Sequence, residues 1–79
     1  MQRKEIEQRL ENIIRTLFPR SDFVMRGDLT AKDVTGWDSL SHAKFLICVE
    51  QEFKIRIRLQ DVDGFQDVGA LISFIEKSL

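Results

Sequence analysis

The stretch GWDSLSHAKFLICVEQEF, residues 36–53, decides how this chain is read. Asp38 and Ser39 are preferred residues at a helix start, because their oxygens accept hydrogen bonds from the free N–H groups of the first turn. Behind them Leu40, Ala43, Phe45, Leu46, Ile47, Cys48, Val49 and Phe53 are spaced as in a helix, over a wider arc than one buried stripe needs. A helix with that much apolar circumference either is central or offers apolar surface to a partner. Gly36 permits a tight turn before it, and Trp37 is bulky enough to pack the incoming loop down.

The pattern extends outward on both sides. Between Gln2 and Phe18, Ile6, Leu10, Ile13, Ile14, Leu17 and Phe18 draw one apolar stripe down a first helix that Pro19 stops. Residues 19–37 show no period. A loop that long is unusual in so small a domain, and Phe23, Val24, Leu29, Val34 and Trp37 are expected to anchor it across the helices. KIRIRL, residues 54–59, alternates strictly, but with no second strand to pair it reads as an extended linker with Ile55 and Ile57 inward and Lys54, Arg56 and Arg58 toward water. LQDVDG, residues 59–64, predicts one helical turn closed by Gly64. Its DVDG string fails as a calcium loop, since the acidic residue required at the last position falls on Ile72. Val68, Leu71, Ile72, Phe74 and Ile75 mark a last helix, capped by Asp67 with Phe65 as a staple ahead of it. The fold class is all-α: one domain over residues 1–79, a small four-helix bundle of three main helices and one short one, with a long loop between helices one and two.

Composition narrows the function classes. Seventy-nine residues with 43% hydrophobic content, six Phe and one Trp supply one modest core. A net charge of −1 argues against a nucleic-acid binder, which would carry a strong basic excess. The single cysteine, Cys48, excludes an internal disulfide, makes a Cys-based metal site unexpected, and reads as a buried, inert thiol. No apolar run approaches the roughly 20 residues that span a membrane. The charged start MQRKEIEQRLE lacks the apolar centre of a signal peptide, so a cytoplasmic protein is expected.

Three chemistries compete for Ser39. The first is capping alone. The second is a hydrolase built on Asp38, Ser39 and His42, which share one helix face but have no enclosing pocket or separately oriented base. In the third, the hydroxyl carries a phosphate, because the helix N-terminus favours an anion.

The third account coincides with a family resemblance. GWDSLSHAKFLICVEQEFKIRI resembles the phosphopantetheine attachment region of acyl carrier proteins: Gly and an aromatic residue before Asp-Ser-Leu, a helix ending in Glu-x-x-Phe, then Ile-x-Ile. Helix one, the long loop, the short turn after Ile57 and the Phe65, Val68, Leu71, Ile75 spacing follow the same pattern, so the resemblance covers essentially the whole chain.

That resemblance implies a non-enzymatic, monomeric carrier. Ser39 would receive 4′-phosphopantetheine from coenzyme A through a phosphopantetheinyl transferase, Asp38 would help that enzyme position a metal ion and coenzyme A, and Leu40 would enter an apolar depression on partner enzymes. The arm's thiol would hold acyl groups as thioesters. Housekeeping fatty-acid carriers have a strongly acidic second helix, whereas residues 38–53 hold Asp38, Glu50 and Glu52 against Lys44. A specialised pathway with its own loading ligase or transferase is therefore expected, with Leu40, Ser41, Ala43, Lys44 and Ile47 as recognition residues. An aminoacyl or peptidyl carrier is the close alternative, and an unmodified helical interaction module is the alternative from another class. Phe45, Phe65 and Phe74 raise the question of whether any interior space remains for cargo.

Overall fold

Helix α1 spans Arg3–Leu17, α2 Ser39–Phe53, α3 Leu59–Val62 and α4 Val68–Ser78 in the computed structural model, which describes residues 1–62 and 65–79. These are the three main helices and one short one that the periodicity predicts, and the described residues contain no strand. The expected closure at Gly64, with the end of the DVDG string, lies outside the described residues.

Hydrophobic spacing explains the packing of α1. Ile6, Leu10 and Ile14 recur every four residues, fall on one face and are wholly buried. They meet Phe45, Val49 and Phe53 of α2 and Leu71, Ile72 and Ile75 of α4 in one core. The Phe18 N–H still reaches the Ile14 carbonyl at 2.8 Å, after which Pro19 cannot continue the ladder. Exposed ion pairs join Arg9 to Glu52 on α2 and Arg3 to Glu76 on α4. Such pairs contribute little stability and serve mainly to favour one register of the helices.

The long loop is pinned by its own side chains. Phe23, Leu29 and Val34 are buried as expected, and the Arg15 guanidinium lies 4.5 Å above the Phe23 ring. Val24, expected as a fourth anchor, is instead 71% exposed, and Met25 is half-buried against the core. The chain is non-helical here and its neighbours point to opposite sides, so Phe23 and Met25 turn in and Val24 turns out. The loop also contains a 3₁₀ turn, Ala31–Asp33, that no periodicity announced. Asp33 holds it by accepting from the Thr30 N–H at 3.0 Å and the Thr30 hydroxyl at 3.3 Å.

Loop and last helix are fastened through backbone. The N–H groups of Val68 and Gly69 donate to the carbonyls of Leu29 and Gly27 at 2.9 and 2.7 Å, and Ala70 N–H donates to Asp67 Oδ1 at 2.8 Å. Three N–H groups that a helix start leaves without partners are thus satisfied. Asp67 is the predicted cap, and Phe65 lies edge-on to Phe74 at 5.1 Å, bracing α4 further along its length.

The linker after α2 follows its alternation. Ile55 and Ile57 are half-buried against the core, while Lys54, Arg56 and Arg58 are exposed. Lys54 ends α2 in the left-handed region at φ 55°, and the N–H groups of Lys54 and Ile55 both reach the Glu50 carbonyl. Cys48 is half-buried rather than buried, because it stands on the flank of α2 beside the fully buried Val49.

The fastening of loop to α4 makes a matched pair of variants informative. A Cβ on Gly69 would lie 2.9 Å from the Gly27 carbonyl oxygen, whereas one on Gly27 would meet nothing within 4 Å. Gly69→Ala is expected to lower unfolding free energy by about 1–3 kcal/mol, as overpacked sites do. Gly27→Ala should stay within about 0.5 kcal/mol, as for an open surface site. Urea unfolding monitored by circular dichroism measures both.

Candidate functional site

The entry to α2 is built one residue at a time. Gly36 takes φ +89°, a conformation that side chains with a Cβ rarely adopt, and reverses the chain after Val34. Trp37 then turns inward. Its ring stacks on Phe18 with centroids 5.0 Å apart and meets Phe45 edge-on at 4.9 Å. Its indole N–H donates to His42 Nδ1 at 3.1 Å. The loop is thereby tied to α1 and α2 together.

Asp38 is the cap the sequence predicts. Its backbone is extended, its Oδ1 accepts from Ser41 N–H at 2.8 Å, and its carbonyl accepts from His42 N–H at 2.8 Å, closing the first turn. The bond from Ser41 N–H, aided by the Ser41 side chain, holds the Asp38 carboxyl below its ordinary value of 3.8. Ser39 follows as the first residue of α2. It is exposed, and no hydrogen bond engages its hydroxyl among the described residues. Leu40 beside it is 67% exposed, an unusual position for a large aliphatic side chain on a packed helix.

These positions decide against an activated serine. A triad requires the carboxylate to orient the imidazole and the imidazole to face the hydroxyl. Here the Asp38 carboxylate is committed to Ser41 N–H, and His42 Nδ1 to Trp37. His42 is accordingly not a solvated surface histidine but a half-buried acceptor within the aromatic cluster. Nothing in the residue spacing announces this bond, because it depends on Trp37 turning back over the first turn.

The other residues singled out in the sequence separate by environment. Ser41 is half-buried and turned toward the Gly36 carbonyl at 3.4 Å, while Ala43 and Lys44 are exposed and Ile47 is 53% exposed. A small pocket of about 90 Å³, open to the surface, remains between the loop, α2 and α4, lined among others by Leu29, Trp37, His42, Phe45, Phe65 and Leu71. Bulky rings therefore shrink the space between the helices without closing it. Trp37 and His42 line both this cavity and the shallow depression that holds Asp38 and Ser39. Among the described residues no group of His, Cys, Asp or Glu is arranged to hold a metal ion, and no helix is long and apolar enough to cross a membrane.

This architecture has a solved counterpart. The chain is similar to a holo acyl carrier protein from Geobacter metallireducens, with a TM-score of 0.83 and 29% identity, covering 92% of this chain and 84% of that one. No family model and no curated protein sequence matches. Fold and sequence pattern both resemble those of an acyl carrier protein, a carrier rather than a catalyst.

The lowered Asp38 carboxyl fixes a pH dependence. A folded-state value below the unfolded one contributes stability that is present above about pH 4 and lost as pH falls through the folded value. Asp38→Asn removes that charge. The melting-temperature gap between the parent and Asp38→Asn is expected to be largest near neutrality and to narrow as pH falls below about 4. A gap that stays constant over that range would assign the cap no ionic component.

Proposed function

We propose that this protein is an acyl carrier whose Ser39 bears 4′-phosphopantetheine. One observation carries the reading: an exposed, unengaged hydroxyl on the first residue of a helix whose start is fixed from both sides by Trp37 and Asp38. The residues fit the group. The N-terminal end of α2 supplies the partial positive charge that favours a phosphodiester there. Asp38 sits beside the hydroxyl, where a phosphopantetheinyl transferase would engage it. Leu40 projects next to the attachment point as an apolar handle. When bound, the arm supplies a terminal thiol that holds cargo as a thioester. The chain's own part is presentation: Trp37 and Asp38 hold the attachment residue still, and the tether raises the local concentration of cargo at a docked enzyme.

The carrier acts as a monomer in the cytoplasm with a loading ligase or transferase and downstream enzymes of a specialised pathway. The low acidity of α2 supports that assignment over general fatty-acid synthesis, since charge complementarity governs encounter and partner choice. An aminoacyl or peptidyl carrier shares the same features and differs only in cargo.

Incubation with coenzyme A and broad-specificity phosphopantetheinyl transferases, read by intact mass, tests the reading. One phosphopantetheine adduct per chain is expected, and none on Ser39→Ala. Absence of an adduct with several competent transferases would leave an unmodified interaction module. Ester hydrolysis by the unmodified protein, abolished in His42→Ala, would instead revive the hydrolase.

A further inference from the structure

Trp37 and His42 are joined side chain to side chain across the residues that begin α2. The indole N–H donates to His42 Nδ1 at 3.1 Å, five positions along the chain, so Ser39 lies inside the closed ring. The His42 backbone N–H closes the same turn from within, on the Asp38 carbonyl at 2.8 Å. Both side chains line the shallow depression that holds Asp38 and Ser39. The chain has one tryptophan and one histidine, and these are the two.

The bond belongs to one protonation state. An indole nitrogen only donates, and Nδ1 accepts only while it carries no proton. Protonated His42 sets two N–H donors against each other, and the rings that hold the indole, Phe18 and Phe45, offer no oxygen or nitrogen in exchange. Charge reaches the imidazole from two elements. Asp38 lies one turn back at the start of α2, and Asp67 at the start of α4 lines the same pocket as His42. The loop brings uncharged Thr30 and Ala31 to that pocket, and α1 brings only Phe18, behind the indole. Both carboxylates stay negative while accepting from the Ser41 and Ala70 N–H groups, so they favour an imidazolium, whereas the indole donor favours the neutral ring. Among the described residues His42 enters no ion pair that would lock the charged form in place.

We propose that His42 is a pH-sensitive positioning residue. As a neutral acceptor it latches Trp37 and steadies the turn that carries Ser39; on protonation it releases the indole N–H and that turn loosens. The change stays local. Asp38 still caps α2, and the packing of Trp37 on Phe18 and Phe45 does not depend on the charge of His42. What is lost is the cross-link over Ser39, so the hydroxyl is held less firmly in acid than at neutrality. The latch itself stands on the fold, and only its consequence for loading of Ser39 rests on the carrier reading.

The test follows the full, isotopically labelled chain by NMR from about pH 8 to about pH 5, the range in which histidines change charge. The single indole N–H signal and the His42 ring signals are expected to move with one shared midpoint. Amide exchange at Ser41 and His42, corrected for its intrinsic pH dependence, should quicken by about two- to tenfold relative to Leu10, the range that one neutral hydrogen bond spans. His42→Asn keeps an uncharged acceptor on the same side-chain carbon, and its indole signal should stay flat across the range. In His42→Leu, which has no acceptor, the signal should be flat at a different position. An indole signal that ignores the titration of the His42 ring, or that titrates equally in His42→Asn, would overturn the proposal. Exchange that quickens equally in α1 and α4 would do the same, since it would report general destabilisation. Loading of Ser39 from coenzyme A, taken as the ratio of parent to His42→Asn, cancels the transferase's own pH profile. That ratio is expected to fall by about two- to tenfold from pH 8 to pH 5. A constant ratio beside a titrating indole removes the positioning role, whereas no loading at any pH removes the carrier reading and leaves the latch to be decided by the NMR arm.

Discussion

Trp37 is held on three sides, by stacking on Phe18, by edge-on contact with Phe45 and by the hydrogen bond from its indole N–H to His42, and the position of Ser39 follows from that. Aromatic pairs at such distances add something on the order of 0.5–1.5 kcal/mol each beyond the area they bury. Their greater consequence is geometric. With the ring fixed, Gly36 must reverse the chain on one side and Asp38 must open the helix on the other, so the first turn of α2 cannot slide. A hydroxyl two residues from that ring is rigid at its base and free at its tip, as the proposed attachment of an arm requires.

The same economy holds the long loop. Between α1 and α2 the one regular element is the short 3₁₀ segment, and the chain is ordered by what it touches. Phe23, Leu29 and Val34 enter the core, while the carbonyls of Gly27 and Leu29 receive the first N–H groups of α4. Loop and helix therefore supply each other's missing partners. The helix start would otherwise leave donors bare, and the loop would otherwise leave acceptors unpaired.

Much of this was legible in the sequence because it is local. The stripe of Ile6, Leu10 and Ile14, the caps at Asp38 and Asp67, the stop at Pro19 and the alternation of Ile55 and Ile57 each depend on residues within a turn or two. What was not legible depends on distant chain segments. Val24 was misplaced because its side is set by where Phe23 and Met25 find the core. The role of His42 could not be foreseen without the fold of Trp37 over it, and Glu50 looks like a surface acid until the linker returns to it. The exposed position of Ser39 at the helix start was legible from its flanks, whereas the small cavity nearby depends on how Trp37, Phe45 and Phe65 settle.

The linker after α2 carries one more consequence. Residues 55–58 are extended and alternate like a strand, yet among the described residues no neighbouring strand covers them. Glu50 satisfies the N–H groups of both Ile55 and Ile57, which leaves less of the backbone open to a second chain. An uncovered extended segment with two isoleucines is still a template for edge-to-edge pairing, and proteins protect such edges with charge, lysine above all. Lys54, Arg56 and Arg58 stand at that edge in alternate positions. Two copies brought together there would set like charges side by side, which disfavours pairing through that edge.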